Sequence, residues 1–374
     1  MTPRIKVVHL ITGLGPGGAE MMLYKLVSRM SRQHFENVVV SLGQPGLIGT
    51  LIEQAGVPVR ALGMPRRRVT LGGAGRLLRL LAAERPAVLQ TWMYHADLLG
   101  LLAGRMTRTS PIIWNVRCSS MHGLSPLTAR IVRMCARLSH MPNAAVVNSE
   151  SGLRDHTALG YRARRWEVIP NGFDLARFAP DPSARASVRA ELGLAPDTLL
   201  IGLIGRYNPM KDHGLFLRAA LAQARPGLHF LLAGSQVEPS NPALARVVAG
   251  HPAAGHIHML GERTDIARLM AALDVATSSS AYGEGFANVI GEAMACGVPV
   301  VVTNVGDAAA IVGAAGVVVP PRDQPALERA WQHLIAAGPA ERTALGAAGR
   351  ARVQQHYSLE RIVRRYEELY MAMA

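Results

Sequence analysis

Short β-branched runs alternate with amphipathic helical stretches twice along this chain, and a proline-rich break separates the two series. The first series places strands at Ile5–Ile11, Asn37–Leu42, Val57–Leu62, Ala87–Thr91, Ile112–Val116 and Ala144–Asn148, with helical patterns such as "GAEMMLYKLVSRM" and "GRLLRLLAAER" between them. Strands that alternate with helices predict a parallel sheet covered on both faces. At "VIPNGFDLARFAPDPSA", residues 168–184, three prolines and an Asn-Gly interrupt the pattern. The alternation then restarts with "TLLIGLIGR", "LHFLLAG", "GHIHML", "DVATSSS", "VPVVVT" and "AGVVVP". The reading is two doubly wound, Rossmann-like α/β domains, 1–170 and 186–356, joined by a linker at 171–185. A last helix over 357–374 is expected to cross back to the first domain. At 374 residues and 49% hydrophobic content, the chain has material for two cores. Ligands of such folds bind at the carboxyl ends of the strands, so the expected site is a cleft that the two domains face.

The first strand–helix junction, "LITGLGPGGAE", contains a literal G-x-G-x-x-G at Gly13, Gly15 and Gly18. A dinucleotide site would also need an acidic residue closing the second strand, to hold a ribose hydroxyl. That strand ends in "LGQPG", and Glu36 stands at its wrong end. The dinucleotide reading fails. The glycines still allow backbone to approach a ligand, through positive φ at Gly15, Gly17 or Gly18, and the following helix N-terminus offers N–H groups to an anion. A tight turn without a ligand explains them equally well.

The second domain carries the denser chemistry. In "YGEGFANVIGEAMACGVPVVVTNVGD" a glycine loop leads into a helix start, a cradle of amides suited to phosphate. Glu284 sits in the loop and Glu292 in the second helical turn, among small and apolar neighbours that make a poor solvated face. A carboxylate at either place can accept hydrogen bonds from a diol. In "LIGRYNPMKDHG", Arg206 directly follows a buried strand and Lys211 lies five residues on. Two cations at a strand end suit a diphosphate, Arg as a bidentate donor and Lys as a point charge.

Together "GGAE", "VVNSE", "VIPNGFD", "GR" with Lys211, and "EGFANVIGEAMACGVPVVVTNVGD" resemble glycosyltransferase family 4, in order and over nearly the whole chain. The resemblance implies a GT-B fold and a retaining enzyme that moves sugar from a nucleoside-diphosphate donor to a glycan or lipid-linked acceptor, in cell-surface polysaccharide or glycolipid synthesis. It implies that the second domain holds the donor: Glu292 on the ribose, Glu284 on the transferred sugar, Arg206 and Lys211 on the diphosphate, and Gly285, Phe286, Ala287 and Asn288 in the donor loop. The Gly17–Gly18 loop would close over the donor from the first domain. Related enzymes often carry a His after the strand matching "PIIWNVR"; here Val116 or Arg117 stands there. His95 is the replacement candidate for sugar contact, and Arg117 a candidate phosphate ligand. No D-x-D metal motif occurs in the chain, so no cofactor or metal is expected and the two cations do the electrostatic work.

Charge locates the partners. Residues 1–180 hold 23 Lys/Arg against 9 Asp/Glu, while residues 181–374 hold 17 of each. An excess confined to one half points to an anionic partner there: a membrane face, a phosphorylated acceptor, or nucleic acid. Arg130, Arg133 and Arg137 form one stripe of a helix, with Leu127, Ile131, Met134 and Leu138 assigned to its opposite side. Nucleic acid ranks last because no recognisable binding module is present; a GT-B sugar-nucleotide epimerase is the nearer alternative. His256 and His258 lack a third ligand for a metal. Three widely spaced cysteines and a start without a signal-type apolar region suggest a cytoplasmic protein with peripheral contact on the inner membrane face.

Overall fold

A computed structural model of the chain describes residues 4–65, 69–117 and 125–374. It divides into two compact units, Met1–Gly172 with Leu359–Ala374, and Phe173–Ser358.

The first unit is built on strands β1 (Ile5–Ile11), β2 (Phe35–Ser41), β3 (Val59–Ala61), β4 (Val88–Trp92), β5 (Ile112–Val116), β6 (Ala144–Val147) and β7 (Trp166–Val168). All pairings are parallel, in the order β3-β2-β1-β4-β5-β6-β7. Period-two alternation sends Val7 and Ile11 of β1 to one apolar cluster and Val8 and Leu10 to the other, so both faces are buried. The final helix, Leu359–Met373, completes the first cluster with Ile362, Tyr366, Leu369 and Tyr370. It also meets a buried polar seam. Asn115 Nδ2 donates to Tyr366 Oη at 3.0 Å, and Tyr370 Oη donates to Gln90 Oε1 at 2.5 Å.

The second unit contains β8 (Leu199–Ile204), β9 (Leu228–Ala233), β10 (Ile257–Met259), β11 (Val275–Ser278), β12 (Val300–Thr303) and β13 (Gly316–Val319). Its order is β10-β9-β8-β11-β12-β13, again parallel. The stretch read as a linker mostly belongs to this unit's body. Phe173 and Phe178 are buried in its core, and Asp181 caps the helix Pro182–Glu191 through Ser183 N and Ala184 N.

Both sheets reverse strand order once, between β1 and β4 and between β8 and β11. The carboxyl ends of those strand pairs are where ligands of open α/β sheets bind.

The helix Pro126–Leu138 corrects one expectation. It buries Val132, Cys135 and Ala136, whereas Leu127 and Met134 are 46% and 49% exposed on the side of Arg130, Arg133 and Arg137. Shorter side chains suit its close approach to the neighbouring helix Tyr94–Met106.

Candidate functional site

In the second unit, backbone and hydroxyl hydrogen bonds tie together the loops after β8 and β11 and the end of β12. Ala281 N donates to Met210 O at 2.8 Å, Ser279 Oγ donates to Lys211 O at 2.8 Å, and Thr303 Oγ1 donates to Ser280 O at 2.6 Å. This scaffold brings the Lys211 ammonium onto Glu284 Oε1, while Ser280 Oγ donates to Glu284 Oε2 at 2.6 Å. Both charged side chains are mostly buried. Partial removal from water strengthens a pair of this kind and holds both groups in one geometry.

Two glycines make the packing possible. Gly306 has φ +60°, and a Cβ there would lie 1.8 Å from the Glu284 carbonyl oxygen. Gly234 has φ +152° and would place a Cβ 2.3 Å from the carbonyl oxygen of Gly205. The same Gly205 carbonyl accepts from His213 Nε2 at 3.2 Å. The turn that launches Arg206 is thus fixed from two sides. Arg206 is exposed and forms no ion pair among the described residues. Gly285 O accepts from Asp307 N at 2.9 Å. Phe286 stacks at 6.1 Å on Phe173 and meets Tyr357 edge-on, so its ring anchors the loop in the apolar core. Ala287 precedes the helix Asn288–Ala295, which carries Glu292 in its second turn.

The other sequence candidates lie in the first unit. A cavity of about 750 Å³ opens at the carboxyl ends of β1, β2, β3 and β4, lined by the Gly13–Pro16 loop, Glu20, Gln44, Tyr94 and His95 among others. Gly46, at φ +58°, is the glycine this wall demands, because a Cβ would sit 2.5 Å from Leu14 O. Gly13, Gly15, Gly17 and Gly18 do not take positive φ, contrary to the role expected of that loop. Gly17 is extended at φ −173° and precedes the helix Gly18–Arg29. A Cβ on Gly17 would lie 2.2 Å from Glu20 Oε2, so the carboxylate is folded over the helix start. Burial raises the Glu20 carboxyl above its ordinary value, opposed by a hydrogen bond from its own backbone N–H and by Arg117.

Arg117 stands at the end of β5, but its guanidinium is engaged within the fold. Nε donates to Asn115 Oδ1 at 3.0 Å, Nη1 to Asn171 Oδ1 at 2.6 Å and Nη2 to Tyr366 Oη at 3.2 Å, and the group lies 4.9 Å over the Trp92 ring. These contacts clip the final helix to the end of β5.

Residues 16–177 match the family model for Glycosyltransferase Family 4, and residues 198–337 match that for Glycosyl transferases group 1. The chain belongs to the glycosyltransferases. Over 197 residues it is 35% identical to D-inositol 3-phosphate glycosyltransferase of Segniliparus rotundus, covering 49% of this chain and 42% of that one. The chain thus spans less than half the length of the curated relatives it matches. The crystal structure of Anabaena Alr3699/HepE in complex with UDP superposes with a TM-score of 0.86 at 24% identity, over 98% of this chain and 100% of that one. Sucrose-phosphate synthase from Thermosynechococcus elongatus gives 0.79 at 20% identity, over 99% of each chain. At these identities the likeness is one of fold, and the fold is GT-B.

Within this glycosyltransferase, sequence reasoning missed Ser280, His213, Gly306 and Glu20. It also missed His229, whose Nδ1 lies 3.0 Å from His258 Nε2 and whose ring is 4.5 Å from that of His256. No group of side chains suited to a metal ion occurs among the described residues.

Proposed function

We propose that the chain is a retaining glycosyltransferase that binds a nucleoside-diphosphate sugar on its second unit and a glycan-type acceptor on its first. The Lys211–Glu284 pair at the β8/β11 switch point carries this reading. Lys211 and Arg206 supply positive charge where the departing diphosphate gains negative charge, the electrostatic stabilisation such a step needs. Glu284 is placed to hold the transferred sugar and Glu292 the ribose, with Gly285, Ala287 and Asn288 offering backbone to the phosphates at the start of their helix. The acceptor oxygen attacks the anomeric carbon from the leaving-group side, the carbon–oxygen bond to the diphosphate breaks, and the diphosphate oxygen takes the acceptor's proton. Protein cations meet the charge requirement without a metal. Complexes of Anabaena HepE contain UDP and UDP-glucose, which favours uridine donors for the first trials.

Thermal midpoints in EDTA against a panel of nucleoside diphosphates and nucleotide sugars test the donor assignment. Binding confined to the native state raises the midpoint by mass action. A shift with one nucleotide class supports the reading, and no shift at saturating concentrations of any member contradicts it.

A second part of the proposal concerns membranes. The helices Leu71–Glu84, Tyr94–Met106 and Pro126–Leu138 lie side by side. They expose Arg76, Arg79, Arg105, Arg130, Arg133 and Arg137 together with Leu102 at 51%, Met106 at 71% and Met134 at 49%. The acidic residues of these helices are turned elsewhere: Asp97 is buried and Glu84 pairs with Lys6. Cations interleaved with exposed apolar side chains fit the surface of an anionic bilayer. No described helix is long and apolar enough to cross a membrane. Cosedimentation with vesicles containing anionic lipid, lost in an Arg130/Arg133/Arg137→Gln variant, supports the docking face; equal sedimentation of both proteins contradicts it.

A further inference from the structure

Resting on the placement of the transferred sugar at Glu284, we propose that Ser280 is the positioning residue for that carboxylate. Its hydroxyl fixes the orientation in which Glu284 meets the donor's sugar, and so sets the affinity for the sugar apart from that for the nucleotide. Ser280 Oγ donates to Glu284 Oε2 at 2.6 Å. An ionised carboxylate only accepts, so the chemistry of the two groups gives the bond its direction. Ser280 is 2% exposed, and the side chains of Glu284 and Lys211 are 11% and 19% exposed. A hydrogen bond to a charged acceptor with so little water around it is of the stronger kind.

The two oxygens of Glu284 have partners of different kinds. Oε1 meets the Lys211 ammonium, and Oε2 meets the Ser280 hydroxyl. In the proposed reaction Lys211 serves the diphosphate as charge develops on the departing oxygen. An ammonium on a flexible four-carbon stem leans toward that charge, and its hold on Glu284 weakens as it does so. Ser280 has no such freedom. Its hydroxyl is one carbon from backbone that Thr303 holds, since Thr303 Oγ1 donates to Ser280 O at 2.6 Å. The next residue is held as well: Ala281 N donates to Met210 O at 2.8 Å. Ser278, Ser279, Ser280 and Thr303 are all buried. As Lys211 turns to the phosphates, Ser280 is the partner that stays.

Gly306 confines the Glu284 backbone by packing against its carbonyl oxygen. What remains free is the Glu284 side chain, a rotamer-rich group whose ordering costs entropy. A sugar hydroxyl that donates to this carboxylate either finds it fixed or orders it on binding, and the second course lowers affinity. Ser280 fixes it beforehand. The nucleotide does not share in this effect. Its proposed ribose contact is Glu292, on the helix Asn288–Ala295, and the hydroxyl of Ser280 is spent on Glu284.

A double-mutant cycle on binding provides the test. UDP, UDP-glucose, UDP-galactose and UDP-N-acetylglucosamine are titrated into the full chain as wild type, Ser280→Ala, Glu284→Ala and the double variant. Ser280→Ala is expected to weaken the UDP-sugar that the wild type prefers by about tenfold, the scale of a lost hydrogen bond to a charged group. UDP affinity stays within about twofold, and the thermal midpoint shows the variant folded. In the Glu284→Ala background, Ser280→Ala has no further effect on the UDP-sugar, because the hydroxyl acts through the carboxylate. The proposal is overturned if Ser280→Ala leaves the UDP-sugar affinity unchanged where Glu284→Ala weakens it. It is equally overturned if Ser280→Ala weakens UDP and UDP-sugar in parallel, or if the two substitutions add. A different pattern marks failure of the underlying reading. Wild type that binds no UDP-sugar, or Glu284→Ala with undiminished UDP-sugar affinity, overturns the placement of the sugar on Glu284 and the role of Ser280 with it.

Discussion

The ammonium of Lys211 and the carboxylate of Glu284 meet across the ends of neighbouring strands β8 and β11, with Ser280 holding the carboxylate's other oxygen at 2.6 Å. In the unliganded protein the two groups therefore hold each other in place, and an incoming diphosphate sugar finds both already aimed. Lys211→Ala removes the cation and is expected to lower kcat by about 10²–10³, as for loss of a charge-stabilising donor. Turnover within twofold of wild type, in a variant that keeps its thermal midpoint, would remove Lys211 from the mechanism.

Gly306→Ala addresses the same loop through backbone. The substitution forces an alanine to φ +60° and drives its Cβ into the carbonyl of Glu284. Strain of this type costs about 1–3 kcal/mol, and relieving it displaces the loop. Activity is expected to fall at least tenfold, with a lowered midpoint in thermal unfolding. A variant with wild-type kinetics would show that the loop's position does not govern turnover.

Arg117→Ala should damage the fold and spare the donor site. Its loss removes the hydrogen bonds to Asn115 Oδ1, Asn171 Oδ1 and Tyr366 Oη in a part-buried seam, a cost on the order of 2–4 kcal/mol. Denaturant titration measures that cost, and UDP affinity is expected to remain at the wild-type value. An unchanged unfolding free energy together with weakened ligand binding would return Arg117 to the role of phosphate ligand.

His9 gives the stability a defined pH dependence. It is fully buried, accepting from Trp92 Nε1 on Nδ1 at 3.4 Å and donating from Nε2 to Asn37 Oδ1 at 3.0 Å. Burial depresses its pKa from 6.5 to about 4, partly offset by the Asn37 hydrogen bond. Between those values the unfolded chain takes up a proton that the native state refuses. The contribution is complete above pH 6.5 and is lost as pH falls toward 4. The stability advantage of wild type over His9→Gln should therefore shrink by up to about 3 kcal/mol across that window. A constant difference would show that His9 is not held neutral.

The strands of both sheets were legible because buried parallel strands are continuous apolar runs bounded by Gly, Pro and Asn. The exception, β7, is a three-residue edge strand, "WEV", too short for a pattern. Lys211, Glu284 and Glu292 could be picked out since their loops flank strong strand and helix signals. The contacts of Arg117 could not: its Tyr366 partner lies 249 residues away and becomes a neighbour only when the final helix docks. Glu20 was hidden for a related reason. Although it ends the quoted "GGAE", its setting is created by loops following four separate strands, which no local spacing shows. On the helix Pro126–Leu138, the reading was half right: Ile131 and Leu138 pack against the core, whereas Leu127 and Met134 are exposed and Val132, Cys135 and Ala136 fill the buried face.

Direct calorimetric titration of UDP into wild type and Glu292→Ala, in EDTA, tests the donor assignment most directly. The account predicts a saturable wild-type isotherm and an affinity lowered about 10- to 100-fold in the variant, as for hydrogen bonds from a ribose to a charged group. Equal affinities, or no heat of binding in the wild type at millimolar UDP or with any other nucleoside diphosphate, would contradict a donor site built on the second unit.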